Sequence, residues 1–68
     1  MKIYYPAWKL FAHRWINEED IIDFPCKTPE ESEKYLEDHG YSGGSSEEEI
    51  AVFEYDSSTG RYEMLWHA

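Results

Sequence analysis

Basic residues are scarce in this 68-residue chain. Six Lys and Arg residues stand against fifteen Asp and Glu residues, which gives a formal net charge of −9. A surface of this sign repels phosphate backbones, so the composition argues against direct binding to nucleic acid. The same surface suits a protein partner whose own surface is basic.

Cysteine is limited to one residue, Cys26, and this excludes a disulfide within the chain. A lone cysteine favours a reducing, cytoplasmic setting. Cys26 lies just before a predicted helix, where a thiol has a lowered pKa if its sulfur points at the helix N-terminus. We interpret it instead as a small apolar residue at the end of a strand, which is how free cysteines usually pack.

Motifs for metal binding and catalysis are also missing. The chain has His13, His39, His67 and Cys26, but none stand at the C-x₂-C or H-x₃-H spacing of zinc sites. Its acidic runs lack the apolar surroundings of an acid–base pair, and Gly43-Gly44 lacks the Lys and helix start of a phosphate loop. We therefore predict no metal, no cofactor and no enzyme activity.

Long apolar runs are absent too, and none approaches the roughly 20 residues that span a bilayer. The sequence therefore predicts no interaction with membranes. We expect one domain over residues 1–68, with a small core, because a chain this short buries only about 60% of its unfolded surface. Aromatic residues make up 18% of the chain. Some of these rings must stay exposed, and exposed rings are candidate contact points for a partner.

The best-specified element is a β-hairpin over residues 50–66. Residues 50–55 and 61–66 are rich in side chains that favour strands. In the turn between them, Asp56 can accept backbone hydrogen bonds and Gly60 can supply a positive φ. The predicted cross-strand pairs are Tyr55 with Tyr62, Phe53 with Met64, and Ala51 with Trp66.

Residues 27–41 carry the clearest helix pattern of the chain. Thr28 is the expected N-cap, Pro29 takes the first helical position, and Glu31 completes a T-x-x-E capping box. The predicted inner face consists of Ser32, Tyr35, Leu36 and His39. We expect the helix to stop at Gly40, after which the chain folds back on the helix in a Schellman-type arrangement.

The N-terminal segment fits two structures. Residues 7–15 place their aromatic side chains at helical spacing, but they also alternate like a half-buried strand. We predict a long, bent strand over residues 2–16 with Pro6 as an edge-strand bulge, and a helix is the alternative. Residues 17–20 read as a polar turn, and residues 21–24 read as a second strand ended by a proline.

These elements predict an α+β fold built as a two-layer sandwich. Its antiparallel sheet would have four strands, one helix would cover one face, and the order along the chain would be ββαββ. The other face of the sheet would remain uncovered unless a partner binds there.

The acidic surface with interleaved aromatic rings is the one feature of the sequence that points to a function. It predicts a small non-catalytic protein-binding module or inhibitor that occludes a basic surface of a protein partner, in the extreme case as a nucleic-acid mimic. In size, charge and economy of elements the chain is similar in kind to small phage-encoded inhibitors such as anti-CRISPRs, a resemblance that transfers no residues. The alternative is a structural or self-associating domain, a homodimer formed through the uncovered aromatic sheet face.

The binding residues can be nominated from position. Acids held by regular structure lose less conformational freedom on binding than acids of the flexible loop 42–49. We therefore predict that the partner contacts the first turn and the outer side of the helix. The nominated carboxylates are Glu18, Glu19, Asp20, Asp23, Glu30, Glu33 and Glu37. The nominated aromatic anchors are Trp8 and Trp15, provided that either lies exposed beside the first turn.

Overall fold

The computed structural model describes residues 1–11 and 13–68. It contains strand β1 (Lys2–Leu10), a 3₁₀ helix (Glu18–Asp20), helix α1 (Pro29–Asp38), strand β2 (Glu48–Asp56) and strand β3 (Arg61–His67). The strands form one antiparallel sheet in the order β1-β2-β3. The protein is thus a small α+β fold. Within the described residues, no helix combines the length and apolar character that crossing a membrane requires.

The predicted four-stranded sheet is wrong, because residues 21–24 do not form a strand. This segment runs antiparallel to β1 along its outer edge, but it makes only isolated bridges there. Tyr4 and Cys26 exchange backbone hydrogen bonds of 2.9 and 2.8 Å, and the N–H of Ile22 donates to the carbonyl of Pro6 at 2.8 Å.

The bridges do not join into a ladder because the backbone between them turns. The N–H of Phe24 donates to the carbonyl of Ile22, only two residues earlier, at 2.7 Å. Pro25 follows, and it has no N–H to offer. Pro6 is tolerated inside β1 because its carbonyl, and with it the missing N–H, faces this irregular edge and not the ladder with β2.

Strand β1 is shorter than the predicted strand over residues 2–16. The strand interpretation is confirmed for residues 7–10, where it excludes the helical alternative. Phe11 then takes φ 57°, a left-handed conformation that ends the strand. Part of the predicted element falls on position 12, which lies outside the described residues.

The hairpin of β2 and β3 forms with one change of register. The confirmed cross-strand pairs are Tyr55 with Tyr62 and Phe53 with Met64. The predicted pair of Ala51 with Trp66 is wrong, because the register shifts between Val52 and Phe53. Trp66 lies opposite Val52, and His67 lies opposite Ala51. Since a one-residue slip moves a side chain to the other face, Trp66 lies on the opposite side of the sheet from the predicted one.

The turn of the hairpin has the predicted chemistry. The side chain of Asp56 accepts hydrogen bonds from the N–H and the hydroxyl of Ser58, at 2.9 and 2.6 Å. Gly60 has φ 70°, as the bulged turn requires.

We expect Gly60→Val to lower the free energy of unfolding by roughly 1–2 kcal/mol, because a β-branched residue resists a positive φ. A Cβ atom at Gly60 would have no neighbour within 4 Å. The loss would therefore come from backbone strain and not from a clash. Urea denaturation measures it, and Gly60→Asn is the control, because asparagine tolerates this conformation. A valine variant as stable as the wild type would contradict the strained turn.

Helix α1 begins as predicted. The hydroxyl of Thr28 accepts a hydrogen bond from the N–H of Glu31 at 3.2 Å, which confirms the N-cap. The carboxylate of Glu31 accepts from the N–H of Lys27 at 3.3 Å, one residue before the position that a capping box requires. The helix is also shorter than the predicted range 27–41.

The end of the helix confirms the Schellman-type stop. Gly40 has φ 71°, and its N–H donates to the carbonyl of Glu37 at 3.1 Å. The N–H of Tyr41 donates to the carbonyl of Leu36 at 2.9 Å. The chain therefore folds back toward β1, where the ring of Tyr41 stacks on Trp8 with 5.0 Å between centroids.

Both faces of the sheet are covered, though unequally. Helix α1 lies on the face that carries Trp8 and Val52, which we call the helix face, and it contributes the fully buried Leu36. On the other face, Ile16 packs in a buried cluster with Ala7, Ala51 and Phe53. The segment after β1 thus covers part of the face that we expected to be open.

Candidate functional site

Tyrosine side chains occupy the uncovered part of the second face, which we call the tyrosine face. Tyr5 of β1, Tyr55 of β2 and Tyr62 of β3 share this face because they belong to one alternating set across the three strands. The rings of Tyr55 and Tyr62 are 4.8 Å apart, and those of Tyr5 and Tyr62 are 6.2 Å apart.

The predicted polar turn over residues 17–20 is a capped 3₁₀ helix. The side chain of Asn17 accepts from the N–H of Glu19 at 2.9 Å, and the carboxylate of Asp20 accepts from the N–H of Asn17 at 2.9 Å. These two reciprocal hydrogen bonds form a capping box, and the carboxylate of Asp20 is engaged in it. It also fixes the short helix whose other two residues, Glu18 and Glu19, are exposed.

An open cavity of about 470 Å³ lies between the 3₁₀ helix and the tyrosine face. We call it the acidic groove. Its lining residues are Tyr5, Glu18, Glu19, Ile21, Asp23 and Tyr62. The floor is held by the core, since Ile21 also packs against the buried cluster beneath. The groove therefore combines three carboxylates with two aromatic rings on a supported base.

The carboxylates of the groove have no cationic partner in the part of the chain that the structure describes. The ion pairs found there are Lys2 with Glu54 at 3.2 Å and Lys34 with Asp38 at 3.5 Å. Three other cavities are lined by charges of both signs. The charged side chains that line the acidic groove are all acids, so the groove attracts cations.

The groove also affects Tyr5. Burial raises the pKa of Tyr5 above its ordinary value, and the neighbouring Tyr62 and Asp23 raise it further. The hydroxyl of Tyr5 therefore keeps its proton at neutral pH, and this wall of the groove adds no negative charge there.

The structure divides the nominated acids between two sides of the sheet. Glu18, Glu19 and Asp23 line the acidic groove on the tyrosine face, and Asp20 caps the 3₁₀ helix beside them. The remaining nominated acids are exposed on α1, on the opposite side of the sheet. They are Glu30, Glu33 and Glu37. One flat partner surface cannot contact both groups at once.

The two nominated tryptophans differ in the same way. Trp8 is half-buried on the helix face against Tyr41, so it does not lie beside the groove. Its indole Nε1 is buried and has no hydrogen-bond partner among the described residues. Trp15 is 78% exposed, and its ring meets the edge of His67 at 6.4 Å between centroids. Of the two, Trp15 is the ring that a partner can reach.

The sequence did not identify Tyr5 and Tyr62 as site residues. The position of Tyr62 was predictable, since its pairing with Tyr55 follows from the hairpin. The signal for Tyr5 is its alternation with Ile3 and Ala7 in β1. The two rings lie close together only because the strand order is β1-β2-β3, which local sequence does not specify.

Among residues 1–11 and 13–68, no group of three or more His, Cys, Asp or Glu side chains is arranged to hold a metal ion. Cys26 is buried, and its thiol donates to the carbonyl of Phe24 at 3.3 Å. Comparison with protein-family models, curated proteins and solved structures found no match for the chain. The function therefore has to be inferred from the chemistry of the groove.

Proposed function

We propose that the protein is a small, non-catalytic protein-binding module that inhibits a partner by occluding a basic surface. The observation that supports this proposal is the acidic groove, in which Glu18, Glu19 and Asp23 lie beside two tyrosine rings. The groove is the contact site, and the acids of α1 contribute to long-range attraction.

The groove suits an arginine side chain in particular. A guanidinium group can form paired hydrogen bonds with a carboxylate, and its flat face can stack on an aromatic ring. The groove offers both kinds of contact, because Glu18 and Glu19 line it together with the rings of Tyr5 and Tyr62. The net charge of −9 would in addition speed the encounter with a basic partner.

We also propose a cytoplasmic setting for this function. Cys26 is a free thiol, buried at the edge of β1. A free cysteine is compatible with a reducing compartment, where thiols stay reduced.

The test uses a fluorescent nona-arginine peptide and two double variants with the same change in net charge. Glu18→Lys/Glu19→Lys reverses the groove, whereas Glu33→Lys/Glu37→Lys reverses the outer side of α1. We expect the groove variant to raise the Kd of the peptide about tenfold, because close charge pairs at interfaces contribute that much or more. The helix variant should change the association rate and its salt dependence, with little effect on dissociation.

Circular dichroism controls for the fold of both variants, whose substituted positions are all exposed. An equal loss of affinity in the two variants would contradict the proposal, because net charge alone would then explain binding. Wild-type binding that does not respond to salt would contradict it as well.

A further inference from the structure

The last residue of β1 and the segment after it expose several apolar side chains. Leu10 is 45% exposed, Phe11 is 61% exposed and Trp15 is 78% exposed. Phe11 has φ 57°, where a glycine would carry less strain, and its side chain stays mostly exposed there. We call the described residues 10, 11 and 13–15 the arginine loop, because Arg14 lies among these rings.

Arg14 has no ion-pair partner among the described residues. It lines a shallow cavity with His13, Trp15 and Glu49. The carboxylate of Glu49 lies beyond ion-pair distance of Arg14, and it accepts a hydrogen bond from the N–H of Ile16 at 3.2 Å. The chain thus carries an exposed cation beside the ring of Trp15, and that cation makes no ion pair with a described acid of the same copy.

The arginine loop and the acidic groove are complementary in charge and in apolar character. The loop offers a guanidinium group near exposed aromatic side chains, and the groove offers unpaired carboxylates beside Tyr5 and Tyr62. We propose that two copies of this chain form a two-fold dimer in which the arginine loop of each copy docks into the acidic groove of the other. The proposal rests on the proposed function in that the same groove receives the arginine.

The chain order makes a reciprocal contact easy to build. A two-fold interface repeats each contact, and Arg14 and Glu18 are only four residues apart in the chain, so both loop–groove contacts can belong to one interface. The high net charge opposes association, but the Debye length at 0.15 M salt is about 8 Å. Charges distant from the interface are therefore screened, and the contacts of the loop and groove decide the outcome.

Sedimentation velocity at 0.15 M salt tests the dimer. We expect the average mass of the wild type to rise with concentration from that of a monomer to that of a dimer. Arg14→Glu should raise the dimer Kd about tenfold, since close charge pairs at interfaces contribute at least this much. Lys34→Glu is the matched control, because it makes the same change in net charge on the helix side and should leave the Kd unchanged.

A mixture of two variants gives the sharper result. Arg14→Glu places a negative loop against a negative groove, and Glu18→Lys/Glu19→Lys places a positive loop against a positive groove. Each variant alone should associate more weakly than the wild type. Mixed in equal amounts, they should form a heterodimer, because both of its loop–groove contacts then join opposite charges.

The dimer is overturned if the wild type stays monomeric at protein concentrations up to about 1 mM, because a Kd weaker than this corresponds to less than about 4 kcal/mol of binding free energy. An unchanged Kd in Arg14→Glu, or a mixture that fails to associate, also overturns it. Nona-arginine binding separates this failure from that of the proposed function. Arg14→Glu keeps the groove intact and should still bind the peptide, whereas loss of the groove's role would show as equal binding by the groove and helix variants.

Discussion

Replacing Phe53 by alanine should lower the free energy of unfolding by about 3–5 kcal/mol. Phe53 is 4% exposed and packs with Ala7, Ile16 and Ala51 beneath the 3₁₀ helix. A domain of this length is expected to be stable by only roughly 3–10 kcal/mol, at 0.05–0.15 kcal/mol per residue. The substitution therefore removes a large share of the total stability.

Urea denaturation followed by circular dichroism measures this loss. Phe24→Ala is the matched control, since it deletes the same ring from a position that is 45% exposed, and it should cost much less. The substitution at Phe53 should also weaken nona-arginine binding at urea concentrations where the protein remains folded, because Ile21 joins the core cluster to the groove floor. Equal losses of stability in the two variants would show that Phe53 is not the centre of this core.

The features that the sequence predicted well are those that neighbouring residues determine. The N-cap at Thr28, the stop at Gly40 and the turn between Asp56 and Gly60 each depend on a few consecutive residues. The physical requirement in each case is a side-chain acceptor or a positive φ, and both can be read from residue type.

The errors of the fold prediction arise where two structures satisfy the same local pattern. Residues 21–24 have the composition of a strand, but the turn between Ile22 and Phe24 prevents a continuous ladder. The predicted register at Trp66 is wrong for a related reason. A bulge is compatible with the apolar residues on both sides of it, so the alternation of the sequence does not locate it.

The candidate site was predictable only in part. The sequence predicts Glu18, Glu19 and Asp23 as site residues because they belong to a turn that regular structure holds, which the residue types of the segment indicate directly. Their separation from the acids of α1 was not predictable, because it depends on which face of the sheet each segment covers. The contribution of Tyr5 was missed because β1 and β3 come close only through the intervening β2, an arrangement of long sequence separation.

Tyr62→Ala should raise the Kd of nona-arginine about 30-fold, because losing a ring that anchors an interface typically costs ~2 kcal/mol or more and each 1.4 kcal/mol is tenfold. Tyr62 lines the acidic groove and is 37% exposed, so the ring is accessible to a partner. Fluorescence titration at low protein concentration measures the change. Tyr62→Phe is the control, since stacking on a guanidinium group needs the ring and not the hydroxyl, and it should bind like the wild type.

A comparison with nona-lysine identifies which interaction the ring supplies. A lysine ammonium cannot stack as a flat group, so nona-lysine should bind the wild type more weakly and lose less affinity in Tyr62→Ala. Equal losses for the two peptides would mean that the ring only shapes the groove around the carboxylates. If Tyr62→Ala binds nona-arginine as tightly as the wild type, Tyr62 is not part of the contact, and Trp15 is then the next exposed ring to test.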